Sequence, residues 1–123
     1  MEDSPDRSLF PANWVVHFLC DCKKQNRYIN IHEGVARGIS THGVRILSDH
    51  NICKQKKIAM QLMIPSVLAG APLRIVKIIG KSIATIMQEG RFLTEIEFLH
   101  FEEDGLKELD KNLRLRFDRQ FFA

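Results

Sequence analysis

The chain has no long apolar run. Its longest uncharged apolar stretch, Leu62 to Leu73, is interrupted by Pro65 and Pro72. That falls short of the about 20 residues a helix needs to span a bilayer, so no membrane insertion is expected. Cysteine is scarce: three in 123 residues, with Cys20 and Cys22 only two apart. An odd count at that spacing excludes a disulfide framework and suits reduced thiols. The opening Met1-Glu2-Asp3-Ser4-Pro5-Asp6 is acidic and polar, unlike a secretory signal or transit peptide, and the expected address is the cytoplasm. No nucleophile elbow, Walker loop or H-E-x-x-H occurs, so the chain reads as non-enzymatic. Glu95 and Glu97 share a strand face, which ordinary outward polar alternation explains. Acid is missing altogether from Asn51 to Gln88, where Lys54, Lys56, Lys57, Arg74, Lys77 and Lys81 stand, and gathers instead between Glu89 and Asp110. With a net charge of +3, this segment predicts an electropositive region for an anionic ligand or acidic partner, or lysines that guard strand edges. A nucleic-acid polymer is not the expected partner, because most aromatics lie on core stripes rather than along a basic groove.

What is present is ordinary globular composition, 45% hydrophobic and 27% charged, at a length suited to one domain. Residues 1–12 read as a flexible N-terminal arm, polar and without periodicity, and residues 13–123 as the folded domain. Trp14 to Cys22 reads as a strand with Trp14, Val16, Phe18 and Cys20 on one face. Tyr28 to His32 is a second short strand, followed by a turn at Glu33-Gly34. Val35 to Ile39 and Val44 to Leu47 flank a polar turn. Lys57 to Ile64 alternates cleanly. Leu73 to Ile79 and Ile83 to Met87 read as two strands parted near Gly80, and Phe92 to Leu99 as another. The period then changes: Leu106, Leu109, Leu113 and Phe117 form the stripe of an amphipathic helix, with Asp104 as its N-cap. Short strands with frequent turns predict a mainly β fold, a small antiparallel barrel or sandwich, closed by this C-terminal helix.

Cys20 and Cys22, with His17 and His32 nearby, raise a zinc site. Structural zinc wants four ligands from loop-borne spacings, and Cys20 simply continues the apolar stripe of Trp14, Val16 and Phe18.

The turn Gly38-Ile39-Ser40-Thr41-His42-Gly43 joins two apolar strands. Ser40 has the side chain to bond local backbone, and Gly43 is suited to a positive φ. Its residue order resembles the D/N-x-S-x-x-G signature of the PilZ domain, the bacterial module that reads cyclic di-GMP. Ser40 and Gly43 match the family's Ser and Gly, and Gly38 stands where the family has Asp or Asn. The resemblance extends from about Asn13 to Phe117, and Gly90 to Phe98 is similar to the family's final strand. It implies a small antiparallel β-barrel, often closed by a C-terminal helix, with the signature hairpin beside a flexible arm.

In that family an R-x-x-x-R motif on the arm clasps guanine and phosphate, for which planar guanidinium forks are well suited. Arg7 falls at the first arginine, and Pro11 stands at the second. Each hydrogen bond to a charged partner contributes roughly 1.5–3 kcal/mol. Lacking the second arginine and the Asp or Asn therefore implies affinity weaker by about 10²–10⁴. Arg37 and Arg45 adjoin the hairpin as replacements; Lys23 and Arg27 keep a four-residue spacing beyond the first strand. The resemblance implies a ligand site of Arg7, Arg37, Ser40, His42 and Gly43, with no other cofactor. Two functions stay open. One is a cyclic di-GMP receptor closing its arm against the turn at 38–43. The other is a protein–protein adaptor, related to type IV pili or motility, working through Val67-Leu68-Ala69 and the C-terminal Phe121 and Phe122.

Overall fold

The computed structural model describes residues 9–20, 31–67 and 70–117. Six strands precede one helix: β1 (Phe10–Cys20), β2 (Ile31–Ile39), β3 (Gly43–Ser48), β4 (Lys57–Ile64), β5 (Arg74–Gln88), β6 (Arg91–Phe101) and α1 (Gly105–Phe117). Every neighbouring pair is antiparallel, and the order β1-β2-β3-β6-β5-β4 closes into a barrel through β1 and β4. Closure gives each of the six strands a paired neighbour on both sides.

Alternation builds the interior. Ile58, Met60, Leu62 and Ile64 of β4 meet Trp14, Val16 and Phe18 of β1 inside, with Val44, Ile46, Val76, Ile78 and Ile96 from the other strands. β3 and β4 are not neighbours, so the chain between them crosses the barrel's mouth. There Ile52, 2% exposed, enters the core. The opposite mouth is covered by α1, whose Leu109 and Leu113 are buried.

Three boundaries differ from the pattern reading. The first strand starts at Phe10 rather than Trp14, with Phe10 and Pro11 paired to Ile39 and Gly38. The segment 33–34 is not a turn: Gly34 lies mid-strand, where a β-carbon would stand 2.7 Å from Ile46 Cγ2 and 3.0 Å from the Leu47 carbonyl oxygen. β5 also runs unbroken. Gly80 bends it where a β-carbon would come within 2.5 Å of Ile96 Cγ2, and the register with β6 slips beside it. Both glycines are required for close packing rather than for turning.

The helix stripe is shifted too. Leu106 is 46% exposed, and Gly105 takes the inward place, where a β-carbon would lie 2.9 Å from Val76 Cγ1. The Glu108 amide donates to the Asp104 carbonyl at 2.9 Å, which puts Asp104 at the N-cap position. Phe117 closes the stripe by stacking on Phe10, with ring centroids 4.5 Å apart. Arg7, Cys22, Lys23, Arg27, Tyr28, Leu68, Ala69, Phe121 and Phe122 lie outside the described residues. Among the described residues, no helix is long and apolar enough to cross a membrane.

Candidate functional site

The hairpin at 38–43 sits on the rim that α1 covers. The Ser40 amide donates to the Gly43 carbonyl at 2.9 Å, and the His42 amide donates to Ser40 Oγ at 3.0 Å. Ser40 thus bonds local backbone as its side chain predicts, and its own hydroxyl hydrogen remains a donor. The His42 carbonyl accepts the Phe98 amide at 2.9 Å, which ties the tip to β6 while the imidazole stays exposed. Gly43 serves differently from expectation. The glycines with positive φ are Gly70 and Gly90. Gly43 is required because a β-carbon there would stand 2.6 Å from the Ile96 carbonyl oxygen of the adjoining strand.

Arg37 is set apart by strand register. Against β3, Ala36 pairs with Ile46 and Gly38 with Arg45, which leaves Arg37 as an extra residue. On its other side the register with β1 slips between Pro11 and Trp14. A bulge of this kind re-aims a side chain. Arg37 is exposed, with no hydrogen bond or ion pair among the described residues. Arg45, by contrast, lies directly across from the opposite charge of Glu95 on β6.

Leu9 belongs to the site although nothing in the sequence marks it. A β-carbon on Gly38 would meet Leu9 Cβ and Cδ1 at 3.4 Å. The place where an Asp or Asn side chain would project is therefore covered by the root of the N-terminal segment. Detecting this from sequence would have required β1 to extend through Pro11, a residue that argues against a strand.

The two flanks of the turn differ in charge. Thr41 faces α1 across a groove lined by Glu103, Asp104, Leu106, Lys107 and Asp110. The other flank carries Arg37. An anionic ligand is repelled by the first and attracted by the second. His17 and His32 are not brought together: His17 turns outward to Glu33 at 3.2 Å, whereas His32 lies beside the buried Phe18. Among the described residues no group of three or more metal-ligating side chains forms.

A closed six-stranded antiparallel barrel, a helix over one mouth and a bulged hairpin on its rim make this a PilZ-like fold. No protein-family model matches the chain, and no curated protein matches it in sequence. Solved structures do match. The Bacillus subtilis inhibitor of motility MotI/DgrA superposes with a TM-score of 0.72 at 11% identity, covering 100% of this chain and 55% of that one. K. pneumonia MrkH superposes with a TM-score of 0.60 at 12% identity, covering 100% and 54%. A Xanthomonas campestris protein described as a tetrameric PilZ domain superposes with a TM-score of 0.55 at 15% identity, covering 80% and 52%. The chain thus spans about half the length of the solved chains it matches. At such identities the likeness establishes the fold.

Proposed function

We propose that this protein is a non-enzymatic signalling module that binds cyclic di-GMP on the Arg37 flank of the hairpin at 38–43. The observation that carries it is the bulge next to the Ser40 turn, which leaves Arg37 exposed and without an ion pair among the described residues. Arg37 supplies the planar fork for phosphate or guanine. The Ser40 hydroxyl donates, and the exposed His42 ring stacks on a base. Arg7, on the segment entering through Leu9, closes over the ligand from the arm. The expected setting is the cytoplasm, with ligand binding altering the surface shown to a protein partner.

One observation favours the adaptor instead. Leu9 against Gly38 supplies an apolar contact where the family offers the ligand a polar one.

Calorimetric titration of cyclic di-GMP into the purified protein, with GTP as control, separates the two. The receptor gives saturable binding that weakens about tenfold or more in Arg37→Ala, the loss of one charge-assisted contact. The same variant should keep the wild-type urea midpoint. Absence of heat in the wild type at high ligand concentration overturns the receptor and leaves the adaptor. Unchanged affinity in Arg37→Ala refutes the site.

A further inference from the structure

β5 outruns β4. Its pairing with β4 ends where Lys81 meets Lys57, while its pairing with β6 continues to Gln88, opposite Arg91. The segment entering β4 covers one residue more: the Gln55 amide donates to the Ser82 carbonyl at 2.8 Å, and the Ser82 amide to the Lys56 carbonyl at 3.1 Å. From Ile83 to Gln88 the β4 side of β5 pairs with no strand among the described residues. β6 is flanked by β3 as far as Phe92, which pairs with Ser48. The overhang is thus a hairpin with one open edge, projecting past the mouth opposite α1. Its turn is preformed: Glu89 and Gly90 have φ of 52° and 78°, the two-residue geometry whose twist suits a hairpin.

The open edge lacks the usual guards. Ser82 to Gln88 contains no charge and no proline. Ile83, Thr85 and Ile86 are β-branched strand formers, and Ile86 and Met87 are each 60% exposed. An uncharged apolar edge with unpaired backbone groups is a template for one more strand.

We propose that residues 83–87 of β5 pair antiparallel with the same residues of a second copy, joining two barrels into a two-fold dimer through one continuous sheet. An edge that pairs with itself in this way is closed by a single symmetry axis and adds no further copies. The faces of the strand place that axis. Thr85 lies across from the fully buried Thr94 and faces inward, whereas Ala84 and Ile86, across from Glu95 and Leu93, face outward. In a continuous sheet exterior residues meet exterior residues, so the axis passes through a residue and not between two. Through Thr85, it sets Ala84 against Ile86 of the second copy, small against large, and Ile83 against Met87. It also brings Glu89 of the second copy opposite Lys81, which stands between Lys57 on β4 and Glu97 on β6. A second carboxylate there offsets the like-charge pair of lysines. Through Ile86, the same count sets Lys81 against Arg91 of the second copy, like against like. The hairpin at 38–43 lies on the opposite rim, clear of the contact in both copies, so the dimer does not depend on what binds there.

Sedimentation velocity over a range of protein concentration tests the pairing. The wild type should show a reversible monomer–dimer equilibrium with no larger species. Ile86→Lys puts a charge on the exposed edge and should give monomer at concentrations where the wild type is dimeric, with unchanged circular dichroism. Glu89→Lys should weaken the dimer about tenfold over its two symmetric pairs, and Glu89→Lys with Lys81→Glu should restore it. Amide exchange of the wild type gives a readout that needs no variant: Ile83 to Gln88 should become more protected as concentration rises. A wild type that stays monomeric, or a dimer that Ile86→Lys leaves intact, overturns the proposal. Equal protection of Ile83 to Gln88 at every concentration would mean that the chain covers its own edge, and overturns it too.

Discussion

A β-carbon at Gly43 would sit 2.6 Å from the Ile96 carbonyl oxygen, so Gly43→Ala forces β3 away from β6. Overpacking of this kind costs about 1–3 kcal/mol, which a lowered urea midpoint should register. Gly38 behaves differently, because its neighbour is the Leu9 side chain at 3.4 Å rather than backbone. Gly38→Asp alone should weaken the contact with Leu9 and lower stability modestly. Paired with Leu9→Ala, it should recover stability and tighten cyclic di-GMP binding more than the sum of the single changes. A double-mutant cycle read by calorimetry and urea unfolding measures that coupling; strict additivity would show that Leu9 does not guard the position. Ser40 and Gly43 were legible from residue type. The reason for Gly43 was not, since the atom it must avoid belongs to a strand more than fifty residues away in the chain.

At the level of elements, the root of the N-terminal segment and the end of α1 are joined. Phe10 stacks on Phe117, and the Arg116 guanidinium lies 5.3 Å from the centre of the Trp14 ring. Arg116 and Asn112 also donate to the Pro65 carbonyl. Burial lowers the pKa of Arg116 from its ordinary value, and the group stays charged at neutral pH. Phe117→Ala removes an aromatic pair worth about 0.5–1.5 kcal/mol beyond its buried area. Faster hydrogen exchange over Leu113 to Phe117 should follow, with a change in Trp14 emission; Trp14 is the one tryptophan in the chain, so the signal is unambiguous. Unchanged exchange and emission would show that the stack does not hold the helix end. The helix itself was plain from its 3.6-residue period. Its rotation was not: the stripe could not say that Gly105, rather than Leu106, would press against Val76.

For the molecule as a whole, α1 is part of the core and not an appendage. Leu109 is fully buried in the cluster that the strands build. Leu109→Ala should cost about 2–5 kcal/mol in a single cooperative transition. A smaller, separate transition would show that the barrel stands without its helix. The mainly β character and the closing helix followed from alternation, turn chemistry and a change of period, all local properties that a chain carries without reference to its fold. Alternation states which face a residue takes; it cannot count residues on a neighbouring strand. That is why the bulge aiming Arg37, the continuity of β2 and β5 through Gly34 and Gly80, and the run of β5 past the end of β4 were decided only when six strands closed on one another. The sequence by itself determined what kind of barrel would form and which hairpin would stand on its rim. Tertiary register alone decided which charge that rim presents, because register depends on pairs of residues that no single stretch contains.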